Sequence, residues 1–431
     1  MKEKKLIFVQ LNEINFDYLV SYLDKLKIKN FKKLISDGLI ETSSEQKYNE
    51  LEPWIQWTSI STGKLLSEHK IFRLGDIVKY KDNQIYEILE NKNCSVGAIC
   101  PMNVENRLKN PAYFIPDPWT NTKSDNSFWS KNITKTLSQV VNDNAKGKAS
   151  MYSLLILLLA LIRFGKVKNY LKYFYYFITG FNKKWRKALF LDLLLHDIHL
   201  SLLKNRNADF SSIFYNGIAH IQHHYFFNSI AIPKNNINPK WYIDENSDPF
   251  AEALILYDQI IGDYLERNEY DLLLATGLRQ VAFEKVKFYY RLKNHDNFLK
   301  KLKIKYHSAE PRMTGDFLIT FSNPQDTALA QKKISSLLTE DFEKIFSVAD
   351  NRGSSLFLTL TYDKEIKKDL IVKNEELSLN LYNYVDFVGI KNGKHDGKGY
   401  AYYRGKIKEF APKKNEHVKE IFNSINNYFS N

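Results

Sequence analysis

Short apolar runs alternate with longer amphipathic stretches along the chain. Residues 6–11, 95–100, 210–216, 271–276 and 386–390 are short, nearly continuous apolar segments, the pattern of strands covered on both faces of a parallel sheet. Between them, Phe16, Leu19, Leu23, Leu26 and Ile28 recur at a mostly helical period and predict a helix over 16–35. Residues 54–62 predict a helix that stops at Gly63, and 249–266 one that carries Pro249 in its first turn, where a missing N–H costs little. Residues 43–50 read as loop and 110–132 as an irregular crossing, whereas 133–205 read as helical throughout. Strand 317–321, helix 326–338 and strand 355–360 suggest a βαβ insertion. The whole predicts an α/β/α sandwich with a mostly parallel sheet, whose ligands sit beyond the C-terminal strand ends. A core of 1–130, 205–285 and 376–431 is expected, interrupted by a helical insertion at 131–204 and a small α/β insertion at 286–375.

The first apolar run is too short for a secretory signal, and 154–162 is too short to span a bilayer, which needs about 20 residues. A cytoplasmic protein is therefore expected. Two cysteines, Cys94 and Cys100, rule out a disulfide framework and a cysteine-based zinc cluster. The 431 residues contain 62 Lys and Arg against 49 Asp and Glu, a net charge of +13. Ten of those basic residues and no acidic one fall within 145–191, interleaved with Tyr, Phe and Leu. That is the composition of a helical segment lying on an anionic membrane surface. It predicts a peripheral protein at the inner membrane face, the alternative being a cap packed on the body. Nucleic acid is a poor fit, since no nucleic-acid-binding motif accompanies the charge.

Polar residues follow the strands. Asn12 and Glu13 come after the first, Gly217 to Tyr225 with His220, His223 and His224 after the third, Gly277, Arg279 and Gln280 after the fourth, and His395 to Gly399 after the last. Thr62-Gly63 and Glu68-His69 stand apart from these. In order and spacing this set resembles the alkaline phosphatase-like superfamily, in its type I phosphodiesterase/nucleotide pyrophosphatase and sulfatase branch. The resemblance covers about 5–100 and 205–410. It implies a pair of divalent ions about 4 Å apart, held by carboxylates and imidazoles, beside a Thr or Ser nucleophile.

Several positions depart from that pattern. Asn12-Glu13 replaces Asp-Gly, Ala219 replaces an Asp, Gly277-Leu278 replaces Asp-His, and Pro53 stands at the nucleophile position. His223 and His395 match. The expected centre is therefore single-metal at best, such as zinc on His223, His395 and Asn12, with His220 and His224 as alternates, or it is metal-free. His223, His395 and Glu13 are the candidate catalytic residues, a neutral His being able to act as a base near neutral pH. Asn12, His69, Arg279, Arg291, His295 and Arg312 are candidates for holding an anionic substrate, the arginines bidentately. The expected function is action on, or binding of, a phosphate- or sulfate-bearing glycan or lipid-linked substrate. The alternative is a catalytically inactive binding or scaffold protein in surface polysaccharide assembly.

Overall fold

The structure is a computed structural model that describes residues 4–142, 150–312 and 315–430. Residues 145–149 of the basic stretch lie outside the described residues. In chain order the first elements are β1 (Leu6–Leu11), α1 (Phe16–Leu19), α2 (Lys29–Gly38), β2 (Ile40–Ser43), α3 (Pro53–Thr62), α4 (Leu66–His69), α5 (Ile85–Asn91), β3 (Val96–Ile99) and β4 (Tyr113–Ile115). Four helices follow: α6 (Phe128–Asn142), α7 (Met151–Phe164), α8 (Tyr170–Thr179) and α9 (Trp185–Arg206). Then come β5 (Phe210–Tyr215), α10 (Gly217–Tyr225), α11 (Pro249–Leu265), β6 (Asp271–Ala275), β7 (Arg279–Leu292), α12 (His295–Lys301), β8 (Ser308–Pro311), β9 (Asp316–Thr320) and α13 (Pro324–Ser335). The chain closes with β10 (Leu338–Thr339), β11 (Phe346–Asn351), β12 (Ser355–Leu360), β13 (Ile371–Lys373), β14 (Ser378–Asn380), β15 (Val385–Asp396), β16 (Lys398–Arg404) and α14 (Glu420–Ser430).

Two compact units emerge, the second being 285–391. The first unit is built on a seven-stranded sheet of order β2-β16-β6-β1-β5-β3-β4. Its middle is parallel, and only β16 runs antiparallel to its neighbours β6 and β2. β1 and β5 are buried at every position, Gln10, Ser211 and Ser212 included, as strands covered on both faces require. Pairing sets Leu11 level with Tyr215 and Gln10 level with Ala275. The residues that leave β1, β5 and β6 therefore emerge together at one edge, as the α/β pattern predicts.

One expected helix is broken. Instead of a helix over 16–35, α1 ends in a 3-10 turn at Val20–Tyr22, Lys27 is left-handed (φ 52°), and α2 starts at Lys29. The break is set from elsewhere in the sequence. The Asp258 carboxylate of α11 accepts from the backbone N–H groups of Asn30 and Phe31, both at 2.8 Å, and so satisfies the open donors at the start of α2.

In the second unit the expected βαβ arrangement is replaced by an antiparallel sheet of order β11-β12-β9-β8, with a three-stranded sheet β10-β13-β14. Burial alternates along β9 and β12, the mark of strands with one face on the core. Phe298, Phe317, Ile319, Phe346, Leu356 and Leu358 form that core, and Ile334 of α13 closes it.

Candidate metal centre

Glu13 follows β1 by two residues. Its backbone is left-handed, φ 61°, a conformation that favours glycine. Three main-chain bonds hold it there: its N–H donates to Thr276 O (3.0 Å), and its carbonyl accepts from Gln280 N–H (3.1 Å) and Gln222 Nε2 (2.9 Å). The side chain is buried and held from both sides. Asn12 Nδ2 donates to Oε1 at 2.8 Å, and Gln280 Nε2 donates to Oε2 at 2.5 Å.

Two imidazoles converge on the same oxygen. His223 Nε2 lies 3.0 Å from Glu13 Oε2 and His395 Nε2 lies 3.3 Å from it. The two Nε2 atoms are 3.4 Å apart. His223 arrives on α10, which springs directly from β5, and His395 on β15. The return of β15 is pinned by Asn392, which accepts from Phe227 N–H (3.0 Å) and from Asn238 Nδ2 (2.7 Å). Gly393 lets this strand press onto the site, since a Cβ there would stand 2.0 Å from Gln280 Oε1 and 2.9 Å from Gln222 O. Burial opposes ionisation of Glu13, but the charges of His395 and His223 and hydrogen bonds from both rings outweigh it. They hold the carboxyl well below the usual carboxylate range.

Glu52 is a fourth member that the sequence did not announce. It is the residue before α3, and its Oε2 lies 3.6 Å from His395 Nδ1. Glu52 precedes the Pro53 that stands at the nucleophile position of the resemblance, so that position offers a clue to it.

Several expected site residues do other work. Asn12 is hydrogen-bonded on both sides: its Oδ1 accepts from Trp57 Nε1 and its Nδ2 donates to Glu13 and to Asn216 Oδ1, all at 2.8 Å. It positions Glu13. His220 and His224 share a helical face, as their spacing predicts, with ring centroids 4.7 Å apart. Among the described residues, however, only Glu13, His223 and His395 form a ligand-type cluster.

His69 is buried between α3 and α4, where its Nδ1 accepts from Ile71 N–H (3.0 Å) and its Nε2 faces Ser59 Oγ (3.2 Å). It serves packing rather than an anion. The Arg279 guanidinium is engaged by Asp17, Asp396 (2.7 Å) and Tyr400 (3.1 Å), so it closes an acidic ring rather than offering an open fork. Arg291, His295 and Arg312 belong to the second unit. There His295 packs on Phe317 and Arg312 pairs with Glu310 at 3.0 Å.

The places where the resemblance puts further ligands are filled. Ala219 and Leu278 are buried. Gly277 (φ 73°) carries the Trp57 indole against it, 3.1 Å from the position of a Cβ. Trp57 also packs edge-on to Phe214. An indole and aliphatic side chains therefore occupy the ground where a second ion would need oxygen and nitrogen donors.

Burial lowers the His69 imidazole to about 4 from its ordinary 6.5. The unfolded chain takes up this proton as pH falls through about 6.5, whereas the folded chain resists until about 4. Stability is therefore full near pH 7, is lost between those values by on the order of 2–3 kcal/mol, and levels below them. Urea denaturation at pH 7 and pH 5 should show this loss, with a shallower pH dependence in His69→Asn.

No protein-family model and no curated protein match the chain. Solved structures do match it over nearly its full length. Murine ectonucleotide pyrophosphatase/phosphodiesterase 5 is 10% identical, with a TM-score of 0.43, over 99% of this chain and 95% of that one. Phosphonoacetate hydrolase from Sinorhizobium meliloti 1021 is 10% identical, with a TM-score of 0.43, over 98% and 95%. The alkaline phosphatase PafA is 11% identical, with a TM-score of 0.46, over 100% and 96%.

Proposed function

We propose that the first unit holds one divalent ion, such as zinc, on Glu13, His223 and His395. Through it, the protein acts on a phosphate- or sulfate-bearing glycan or lipid-linked substrate at the cytoplasmic membrane face. One observation carries the reading. Glu13 Oε2, His223 Nε2 and His395 Nε2 form a triangle with edges of 3.0, 3.3 and 3.4 Å. Bonds of 2.0–2.1 Å in a tetrahedral zinc site place neighbouring donors about 3.3 Å apart, and two His with one Glu is a catalytic donor set that leaves a fourth position open. The donor chemistry and spacing thus fit one ion.

When bound, such an ion supplies a Lewis acid for an anionic ester oxygen. The protein's own residues do the rest. Asn12 and Gln280 fix the rotamer of Glu13, and Glu52 faces the outer nitrogen of His395, the arrangement that orients a ligating imidazole. Pro53 has no nucleophilic atom, so the attacking group is water. The same proline favours a second reading, in which the centre binds the anionic ester without cleaving it.

Zinc- or manganese-loaded protein should be offered bis(4-nitrophenyl) phosphate, 4-nitrophenyl phosphate and 4-nitrophenyl sulfate. Turnover that disappears in Glu52→Gln while the metal is retained supports the hydrolase. Metal uptake with no turnover of any ester selects the binding reading, and absence of metal uptake removes both.

A further inference from the structure

Fifteen of the twenty-five large apolar side chains exposed among the described residues fall within 151–181. They lie on α7, on α8, in the short connection between them and just after α8, and include Leu155, Leu158, Ile162, Leu171, Phe174 and Phe181. Leu171 is 84% exposed and Phe174 68%. Single exposed apolar residues are ordinary, but a contiguous set of this extent on a soluble surface marks an interaction site. The inner sides of the same helices are well packed. Ile156 and Ala160 of α7 meet Leu194 and Ile198 of α9, and Tyr173 of α8 packs on Phe190 and donates to Asp197 at 2.9 Å. The outer face is thus the unpartnered side of a stable helical layer.

Charge decides what covers it. No Asp or Glu occurs from 150 to 191. Some cations there are already answered from the body: Lys166 and Lys168 pair with Asp263, and Arg186 is bidentate to Glu252. Arg163, Lys184 and Lys187 are exposed, and no carboxylate pairs with them among the described residues. No helix among the described residues is long and apolar enough to cross a membrane, and α7 has 14 residues, so contact of this layer with a bilayer would run along its surface rather than through it.

We propose that the outer face of α7 and α8 docks on an anionic lipid surface. This deepens the membrane-face part of the functional reading. Its test uses lipid alone, so its failure leaves the ester chemistry at Glu13 untouched.

Purified full-length protein is floated with vesicles of phosphatidylcholine and with vesicles of phosphatidylcholine plus phosphatidylglycerol. Binding is expected to the second and to weaken with salt. Lys184→Gln with Lys187→Gln should weaken it on the order of 25-fold, about fivefold for each cation near the surface. Leu171→Ser or Phe174→Ser should weaken it about tenfold through lost apolar insertion, while the thermal melting point stays unchanged. Equal binding to both vesicles, or no binding together with a stable dimer that Phe174→Ser dissolves, would overturn the proposal.

Discussion

Metal-free protein titrated with zinc takes up one ion per chain, and Glu13→Gln, His223→Ala and His395→Ala each abolish that uptake at micromolar metal. This is the largest effect expected, because each substitution removes one of only three donors. Disturbing a partner that merely orients a ligand costs about 10–100-fold in metal affinity, so loss of a donor exceeds that range. Isothermal titration gives the stoichiometry and affinity. A thermal or urea melt gives an independent readout, since an ion at about 100 times its dissociation constant adds about 2.7 kcal/mol to the folded state. The wild type should gain that increment with zinc and the three variants should not. Asn12→Ala should retain uptake at reduced affinity, because Asn12 Oδ1 is occupied by Trp57 and only its Nδ2 supports Glu13. If the Glu13 variant bound zinc as tightly as the wild type, the triangle of donors would be an ordinary hydrogen-bonded group.

Much of the fold was readable because burial on both faces leaves an unmistakable trace. The runs at β1, β5 and β6 are mostly apolar, and Gly63 and Pro249 mark helix ends by their own backbone chemistry. Where the sequence reading failed, the deciding contact was distant in the chain. Nothing within 16–35 says that Asp258 will cap α2 more than 200 residues earlier. Strands 316–320 and 355–360 give the right elements but not their antiparallel pairing.

The site followed the same division. His223 and His395 were legible from spacing, because a helix springing from a strand and a return strand carry their side chains to a fixed edge. The roles of Asn12 and Glu13 were not separable from sequence. The position that the resemblance fills with glycine is left-handed here and holds Glu13. Asn12, where the resemblance has a carboxylate, donates to Glu13 instead. His220, His224 and His69 have suitable chemistry in the one-letter code, and only three-dimensional packing assigns them elsewhere.

Asn12→Asp restores the residue type that the resemblance puts at this position, yet it should destabilise the metal-free protein. Asn12 Nδ2 is a donor to Glu13 Oε1 and to Asn216 Oδ1, both at 2.8 Å. An aspartate keeps the acceptor for Trp57 Nε1 and turns the donor into a second oxygen facing a buried carboxylate. Rotation of the Asn216 amide relieves one of the two contacts, but the contact with Glu13 remains. Two like charges buried together drive one carboxyl to hold a proton, and an uncompensated buried charge costs about 3–5 kcal/mol. The new Asp has a folded pKa above its unfolded value, so the penalty is greatest at neutral pH and shrinks as pH falls towards about 4. Urea unfolding across that range should show a loss near pH 7 that narrows in acid, opposite in direction to the His69 effect. A second zinc ion should not rescue the variant, because Gly277, against the Trp57 indole, and the buried Ala219 and Leu278 contribute no carboxylate or imidazole. Uptake of two ions by Asn12→Asp would mean that the indole yields readily, and that the single-metal centre is held in place by one side chain alone.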